Sequence, residues 1–134
     1  MLSNHRITRG SYRCLTADEQ KDLPTKCGCR PVYKYIITTE YKLTYEDKTL
    51  IVPPGFKSDG ASWGPDNTDA WVFHDYLYVT HRWSVGGECT KDEADAVMRD
   101  ILNQEKRECY SCCFQMWIYC NPCGAFDRSY QDRV

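Results

Sequence analysis

The feature that most constrains this chain is the run WVFHDYLY, from Trp71 to Tyr78. With its flanking residues it predicts a helix over 68–80 that is apolar on nearly every side. Such a helix has to be buried, because it has no polar face to present to water. It nevertheless carries His74 and Asp75 at its centre. Buried ionisable groups of this kind are either satisfied structural pairs or parts of a reaction centre.

A second helix is predicted to begin after Thr90, where Thr90 and Glu93 have the spacing of a capping box. Its apolar residues recur at intervals of three and four positions, as on the buried face of an amphipathic helix: Ala94, Val97, Met98, Ile101 and Leu102. The connection of ten residues between the two helices favours antiparallel neighbours. Gly86 and Gly87 in that connection are available for positive φ.

An alternating pattern precedes the helices. Between Tyr33 and Tyr45 the side chains alternate in polarity and are rich in good β-formers, which predicts one half-buried strand. Glu46 to Lys48 predict a turn and Thr49 to Val52 a returning strand, which together make a hairpin. The expected fold is α+β: a β-hairpin or small antiparallel sheet packed on two antiparallel helices, with a third short helix at 114–119.

The length of 134 residues is that of a single domain. We expect a polar, irregular N-terminal extension over 1–32 that contains cysteines, one α+β domain over 33–126, and a tail over 127–134. The first ten residues lack the apolar stretch of a secretory signal, and no apolar run approaches the roughly 18–20 residues that span a bilayer. The sequence predicts no export signal and no membrane span, and it leaves the compartment open.

The overall charge argues against one class of partner. The chain has 17 basic and 19 acidic residues and a formal net charge of −2. Composition therefore predicts no nucleic-acid-binding surface.

Nine cysteines are many for this length, and five of them lie near the C-terminus. Two C-x-x-C pairs occur there, Cys109 with Cys112 and Cys120 with Cys123, and these four residues are candidate zinc ligands. Disulfides and free thiols are the alternatives, and the sequence does not decide among the three.

The spacing of the helical residues suggests a reactive pair. His74 and Tyr78 are four positions apart and share one helix face. Asp95 lies on the flank of the apolar stripe, near the expected contact between the two helices. Asp95 would accept a hydrogen bond from one ring nitrogen of His74 and leave the other nitrogen to take a proton from water.

Asp75 is expected to point about 100° away from His74 on the helix. There it could hold a hard cation together with carbonyl oxygens of the preceding Gly-containing loop, and such oxygen ligands suit calcium. The alternatives are a structural His–Asp pair, or a metal site without catalysis. His5 and His81 show no companion pattern and are interpreted as surface residues.

Three stretches occur in order along the chain: IVPPGFKSDGAS at 51–62, HDYLY at 74–78 and KDEADAVM at 91–98. They resemble an uncharacterised family common in bacteriophages and bacteria, domain-of-unknown-function family 1353, which has the pattern VP-x-GF-x-S/T-DGAS, then HD-x-x-Y, then an EAD helix. The resemblance covers roughly 33–126 and omits the cysteine-rich ends.

HD-x-x-Y followed by an Asp on the next helix also resembles the core of phospholipases A2. His74 and Asp95 are 21 positions apart, as in the compact bacterial and parvoviral versions. The resemblance implies that His74 is the general base, Asp95 its orienter, Tyr78 a hydrogen-bonding support and Asp75 a calcium ligand. The nearest counterpart of the calcium loop is the stretch Asp59, Gly60, Ala61 and Ser62, which is otherwise a plain turn.

The leading hypothesis is a phospholipase A2-like hydrolase that cleaves a lipid ester at a phospholipid or membrane surface, with calcium as its expected cofactor. The competing hypothesis is a non-enzymatic structural or assembly protein of a virus particle or phage-like element. That protein would be stabilised by disulfides or zinc, and its partners would be capsid or other virion proteins. A third is a zinc-stabilised interaction module built on the tail cysteines.

Overall fold

The computed structural model describes residues 5–21, 23, 25–26, 30–31, 33–60 and 69–105. Within these residues the chain has the α+β fold that the sequence predicts. The predicted helix at 114–119, the tail and the four candidate zinc ligands lie outside them. The elements are, in chain order, β1 (Arg6–Thr8), β2 (Ser11–Cys14), α1 (Ala17–Gln20), β3 (Thr25–Lys26), β4 (Arg30–Pro31), β5 (Tyr35–Thr39), β6 (Tyr41–Thr44), β7 (Thr49–Val52), β8 (Lys57–Ser58), α2 (Ala70–Thr80) and α3 (Lys91–Gln104).

The described strands form two three-stranded antiparallel sheets and one two-stranded ladder, in which β3 pairs with β4. In the first sheet β6 lies between β1 and β7, and in the second β5 lies between β2 and β8. The prediction of an irregular N-terminal segment is therefore wrong for β1 and β2. Strands of three and four residues are too short to show an alternating pattern, and their pairing partners are distant in sequence.

The predicted single strand between Tyr33 and Tyr45 is two strands, because the chain passes from one sheet to the other at Glu40. The N-terminal segment makes the same change of sheet at Gly10, between β1 and β2. A β-carbon on Gly10 would lie 2.0 Å from the carbonyl oxygen of Thr39 and 2.3 Å from that of Glu40. Only glycine allows these two segments of the chain to approach so closely where they cross.

The core lies where the two long helices pack against the sheets, and α2 is its most buried element. Trp71, Phe73 and Leu77 are fully buried, and α2 packs against α3, β6 and β7. The apolar stripe predicted for α3 is confirmed, since all five of its residues are buried. A fully buried large apolar side chain contributes roughly 1.5–3 kcal/mol. Apolar packing therefore fixes the two helices against each other.

The turn between the helices follows the prediction at its glycines. Gly86 and Gly87 both have positive φ. The end of α2 is less expected, because His81 adopts the left-handed conformation at φ 56° and donates its backbone N–H to Leu77 O at 2.9 Å. A partly buried helix cap is therefore the environment of His81, rather than the open surface that the sequence predicts.

Of the two hydrogen bonds of the capping box predicted at Thr90, the one accepted by the threonine side chain is present. Thr90 Oγ1 accepts the backbone N–H of Glu93 at 3.2 Å. The Glu93 carboxylate instead accepts hydrogen bonds from Lys48 Nζ at 2.9 Å and from the indole of Trp83. These two donors, one of them a charged ammonium, hold the carboxylate away from the backbone of Thr90.

Candidate functional site

The structure brings His74 and Asp95 together at the contact between α2 and α3. Nε2 of His74 lies 2.9 Å from Oδ1 of Asp95, and the hydroxyl of Tyr78 donates to the same oxygen. His74 is 3 % exposed and Asp95 is 2 % exposed, so both are buried. The rings of His74 and Tyr78 are in contact, with centroids 4.1 Å apart.

Simple helical geometry accounts for this arrangement. His74 and Tyr78 are one turn apart on α2, so both side chains reach toward the same point on the neighbouring helix. Asp95 occupies that point, on the flank of the buried stripe of α3. Lys91 lies near Tyr78, whereas Asp95 reaches back to His74, so the helices run in opposite directions along their contact. The antiparallel arrangement predicted from the short connection is therefore present.

Lys91 completes the surroundings of Asp95 and was missed in the sequence. Its Nζ donates to Oδ2 of Asp95 at 2.9 Å, so both oxygens of this carboxylate accept hydrogen bonds. The ammonium also lies 5.9 Å from the centroid of the Tyr78 ring. A signal existed, because Lys91 and Asp95 stand four positions apart in a predicted helix, the usual spacing of an intrahelical ion pair.

The expectation that Asp75 faces away from the imidazole is wrong. Oδ1 of Asp75 lies 3.5 Å from Nδ1 of His74, so the two aspartates face opposite nitrogens of one ring. The angle of about 100° between successive helical residues describes the direction of Cβ, not the position of a carboxylate two bonds further out. Asp75 therefore belongs to the same cluster as His74 and Asp95.

A buried serine connects Asp75 to the loop that follows β8. The hydroxyl of Ser58 donates to Oδ2 of Asp75 and accepts the backbone N–H of Gly60 at 3.0 Å. Gly60 has a φ of 80°, which glycine adopts readily. Ser58 was also missed, although it occupies the S/T position of the pattern given above. Of the loop residues predicted as metal ligands, Asp59 and Gly60 directly follow Ser58, and Ser62 lies outside the described residues.

The surroundings of Asp75 do not form a calcium site within the described residues. Calcium takes six to eight oxygen ligands. One oxygen of Asp75 accepts the Ser58 hydroxyl and the other faces the His74 ring, while Asp95 lies on the far side of that ring. In the part of the chain that the structure describes, no three or more His, Cys, Asp or Glu side chains are grouped to hold a metal. The calcium requirement stays a prediction from the resemblance.

Two carboxylates, Asp75 and Asp95, change the acidity of the His74 imidazole. Burial alone would lower the pKa of His74, but the hydrogen bonds to Asp75 and Asp95 outweigh burial and raise it. Burial alone would raise the pKa of Asp95, but the hydrogen bonds from His74, Tyr78 and Lys91 hold it below the usual value. Burial and the contact with Asp95 raise the pKa of Tyr78. The pair therefore favours an imidazolium beside a carboxylate.

A cavity of about 470 Å³ opens beside the site on the side of Lys91. It is lined by the end of α2, the following turn and the start of α3: Thr80, His81, Arg82, Glu88, Cys89, Thr90 and Lys91. Burial raises the pKa of the Cys89 thiol to about 12, so this cysteine is protonated at neutral pH. Lys91 is shared between the cavity wall and the hydrogen bond to Asp95.

A second cluster of the same residue types lies further along α3. Nδ1 of His5 is 2.9 Å from Oδ2 of Asp100, and the hydroxyl of Tyr45 donates to that oxygen at 3.0 Å. The interpretation of His5 as a surface residue is wrong, because its side chain is only 6 % exposed. Its partner is 95 positions away, so no local pattern could show the pair.

A scan against protein-family models, a search of curated proteins and a search of solved structures each returned no match to this chain. Among the described residues, no helix has both the length and the apolar content needed to cross a bilayer. The two family resemblances therefore stay predictions, and proposals for function depend on the geometry of the site.

Proposed function

We propose that the protein is a hydrolase of the phospholipase A2 type that cleaves a lipid ester, with His74 as general base and Asp95 as its orienter. One observation carries this proposal. Oδ1 of the buried Asp95 lies 2.9 Å from Nε2 of His74 and also accepts a hydrogen bond from the Tyr78 hydroxyl. When a carboxylate is hydrogen-bonded to one ring nitrogen of a histidine, the ring orientation is fixed and the other nitrogen becomes more basic.

In the proposed reaction, a water molecule beside Nδ1 of His74 loses a proton to that nitrogen and attacks the ester carbonyl carbon. The same imidazole then returns the proton to the alcohol that leaves. Nδ1 is the nitrogen near Asp75, at 3.5 Å, so the attacking water would meet both the base and a carboxylate acceptor. Asp95 stabilises the imidazolium that forms during the attack.

The electrostatics of the cluster predict how the reaction depends on pH. Only the neutral imidazole can accept a proton from water. Because Asp75 and Asp95 raise the pKa of His74, the fraction of neutral imidazole is smaller near neutrality than for an ordinary histidine. The rate is therefore expected to rise with pH through that raised pKa and to level off above it.

The test is release of fatty acid from phosphatidylglycerol and phosphatidylcholine vesicles, with calcium and with a chelator. His74→Gln keeps a polar side chain of similar size but removes the base, and a loss of roughly 10²–10⁴-fold is expected. His5→Gln is the matched control, because it removes an imidazole bonded to an aspartate on the same helix but outside the proposed site. We expect His5→Gln to retain the rate of the unmodified protein.

Two results would contradict the proposal: no release of fatty acid above the vesicle background under either condition, or equal losses in the two variants. A loss of rate in the chelator alone would support the predicted calcium requirement. Equal rates with calcium and with chelator would contradict the predicted calcium requirement but not the role of His74 as general base.

A second proposed function is that of a non-enzymatic structural or assembly protein of a virus particle or phage-like element, and a different observation supports a purely structural role for the His74 cluster. Each ring nitrogen of His74 faces a carboxylate, and α2 supplies the most buried part of the core. A cluster that only stabilises packing would have these properties too. In that case His74→Gln would lower the stability of the protein without any hydrolysis to lose, and the protein would co-sediment with assembled capsid or other virion proteins.

A further inference from the structure

Lys91 stands at the first position of α3 and reaches the most buried charge of the site. Its Nζ lies 2.9 Å from Oδ2 of Asp95, and its side chain is 17 % exposed, while that of Asp95 is 2 % exposed. The two residues are four positions apart on one helix, so the backbone fixes their separation. Lys91 therefore touches Asp95 from the solvent side, on the wall of the neighbouring cavity.

The three donors around Asp95 divide between its two oxygens. His74 and Tyr78 meet Oδ1, and Lys91 meets Oδ2. With donors on both oxygens, the plane of the carboxylate cannot turn without breaking a hydrogen bond in a buried site, which is costly. Without Lys91, Oδ2 loses this charged donor, and rotation of the carboxylate would move Oδ1 away from Nε2 of His74.

We propose that Lys91 is a positioning residue for the His74–Asp95 pair, which it holds in the reactive geometry by fixing both oxygens of Asp95. Lys91 acts through Asp95 and takes no proton from water or substrate. Its effect on hydrolysis depends on the function proposed above, whereas its effect on the hydrogen bond between His74 and Asp95 does not.

The chain offers a closely matched control. Lys48 Nζ lies 2.9 Å from Oε1 of Glu93, which is also in the first turns of α3. The side chain of Lys48 is 19 % exposed, close to the exposure of Lys91. The Glu93 carboxylate accepts a hydrogen bond from the indole of Trp83, whereas the Asp95 carboxylate contacts His74. Lys48→Met therefore removes a lysine of similar exposure from a carboxylate on the same helix, without touching the His74–Asp95 pair.

The first measurement does not need activity. The proton on Nε2 of His74 is followed by its low-field NMR resonance in the full-length protein and in Lys91→Met, Lys91→Arg and Lys48→Met. We expect Lys91→Met to shift or broaden that resonance, and Lys91→Arg and Lys48→Met to leave it close to its original position. If Lys91→Met does not fold, Lys91→Gln takes its place, because it removes the charge but keeps a polar side chain.

The second measurement separates kcat from KM in fatty acid release from phosphatidylglycerol vesicles. A misplacement of about 1 Å costs on the order of 10²-fold, so kcat should fall by roughly 10- to 100-fold in Lys91→Met while KM changes little. Lys91→Arg should restore most of the rate, because a guanidinium also donates to a carboxylate. Lys48→Met should behave as the unmodified protein.

An unchanged resonance in Lys91→Met would overturn the proposal, as would a rise in KM with kcat unchanged, which would make Lys91 a substrate-binding group. Equal effects of Lys91→Met and Lys48→Met would overturn it as well. If the unmodified protein releases no fatty acid, the proposed function fails. A shifted resonance would then still support the positioning of Asp95 by Lys91.

Discussion

Asp95 and Asp100 lie on the same helix, and each accepts hydrogen bonds from one histidine and one tyrosine on a single oxygen. Their environments differ. The Asp95 side chain is 2 % exposed and its second oxygen binds Lys91, whereas the Asp100 side chain is 27 % exposed. His74 faces a further carboxylate at its other nitrogen. His5 comes from the segment just before β1 and joins that segment to α3.

A histidine, an aspartate and a tyrosine in contact therefore do not by themselves indicate catalysis. The cluster at Asp100 connects α3 to the residues next to β1 and β6, which is a structural role. The cluster at Asp95 adds deep burial, a lysine and a second acid, and these are features that shift the pKa of a group at functional sites. The two clusters therefore serve as internal controls for each other.

The largest difference is expected when each aspartate is removed. Asp95→Ala leaves His74 and Lys91 without their shared buried partner and should lower the free energy of unfolding by roughly 3–5 kcal/mol. Asp100→Ala should cost only about 1–2 kcal/mol, because water reaches this position and replaces the lost acceptor. Urea unfolding of both variants measures the difference. Equal losses would show that burial does not separate the two clusters.

The second prediction concerns the pH dependence of stability. The pKa of His74 is raised in the folded protein, so the stability that the imidazolium contributes is fully present below about pH 6.5, the unfolded value. It is lost as the pH rises through the raised folded pKa, with a slope of at most about 1.4 kcal/mol per pH unit. The advantage of the unmodified protein over His74→Gln should therefore shrink with increasing pH.

Denaturant unfolding at a series of pH values, from mildly acidic to mildly alkaline, measures this advantage. Tyr78→Phe is the control, since it removes a hydrogen bond to Asp95 but keeps the imidazole, and its stability should follow the pH dependence of the unmodified protein. A constant difference between the unmodified protein and His74→Gln would mean that the folded protein does not favour the imidazolium.

The smallest effects are expected for the two tyrosine hydroxyls. Tyr78→Phe should lower the free energy of unfolding by about 1–2 kcal/mol, because it removes a donor from a charged acceptor that water does not reach. Tyr45→Phe should cost roughly 0.5–1 kcal/mol, since Asp100 is partly exposed. Thermal unfolding of the two variants provides the comparison. A larger loss for Tyr45→Phe would reverse the ranking of the clusters.

Local patterns predicted the helices and the central pair well. The buried stripe of α3 and the hydrogen bond between His74 and Asp95 both follow from helical periodicity and a short connection, which are properties of neighbouring residues. The structure places both ends of α2 and the start of α3 within two residues of the positions predicted from the sequence.

Features that depend on distant residues or on side-chain rotation were not predicted. The N-terminal strands pair with residues far along the chain, and His5, which lies next to β1, contacts Asp100 95 positions away. Asp75 turns back to His74 through rotation about its own side-chain bonds, which a helical projection does not contain. Glu93 leaves its expected capping bond because Lys48 and Trp83 approach from elsewhere in the fold.

The pairing of β1 with β6 and of β2 with β5 has a consequence for association between molecules. Each N-terminal strand covers one side of a central strand. A shortened protein that begins at Tyr33 would expose the backbone amides and carbonyls of β5 and β6 along one edge, and such unpaired edges recruit strands from other chains. In their place the protein presents β1 and β2 as edge strands of only three and four residues, and very short edge strands limit such recruitment.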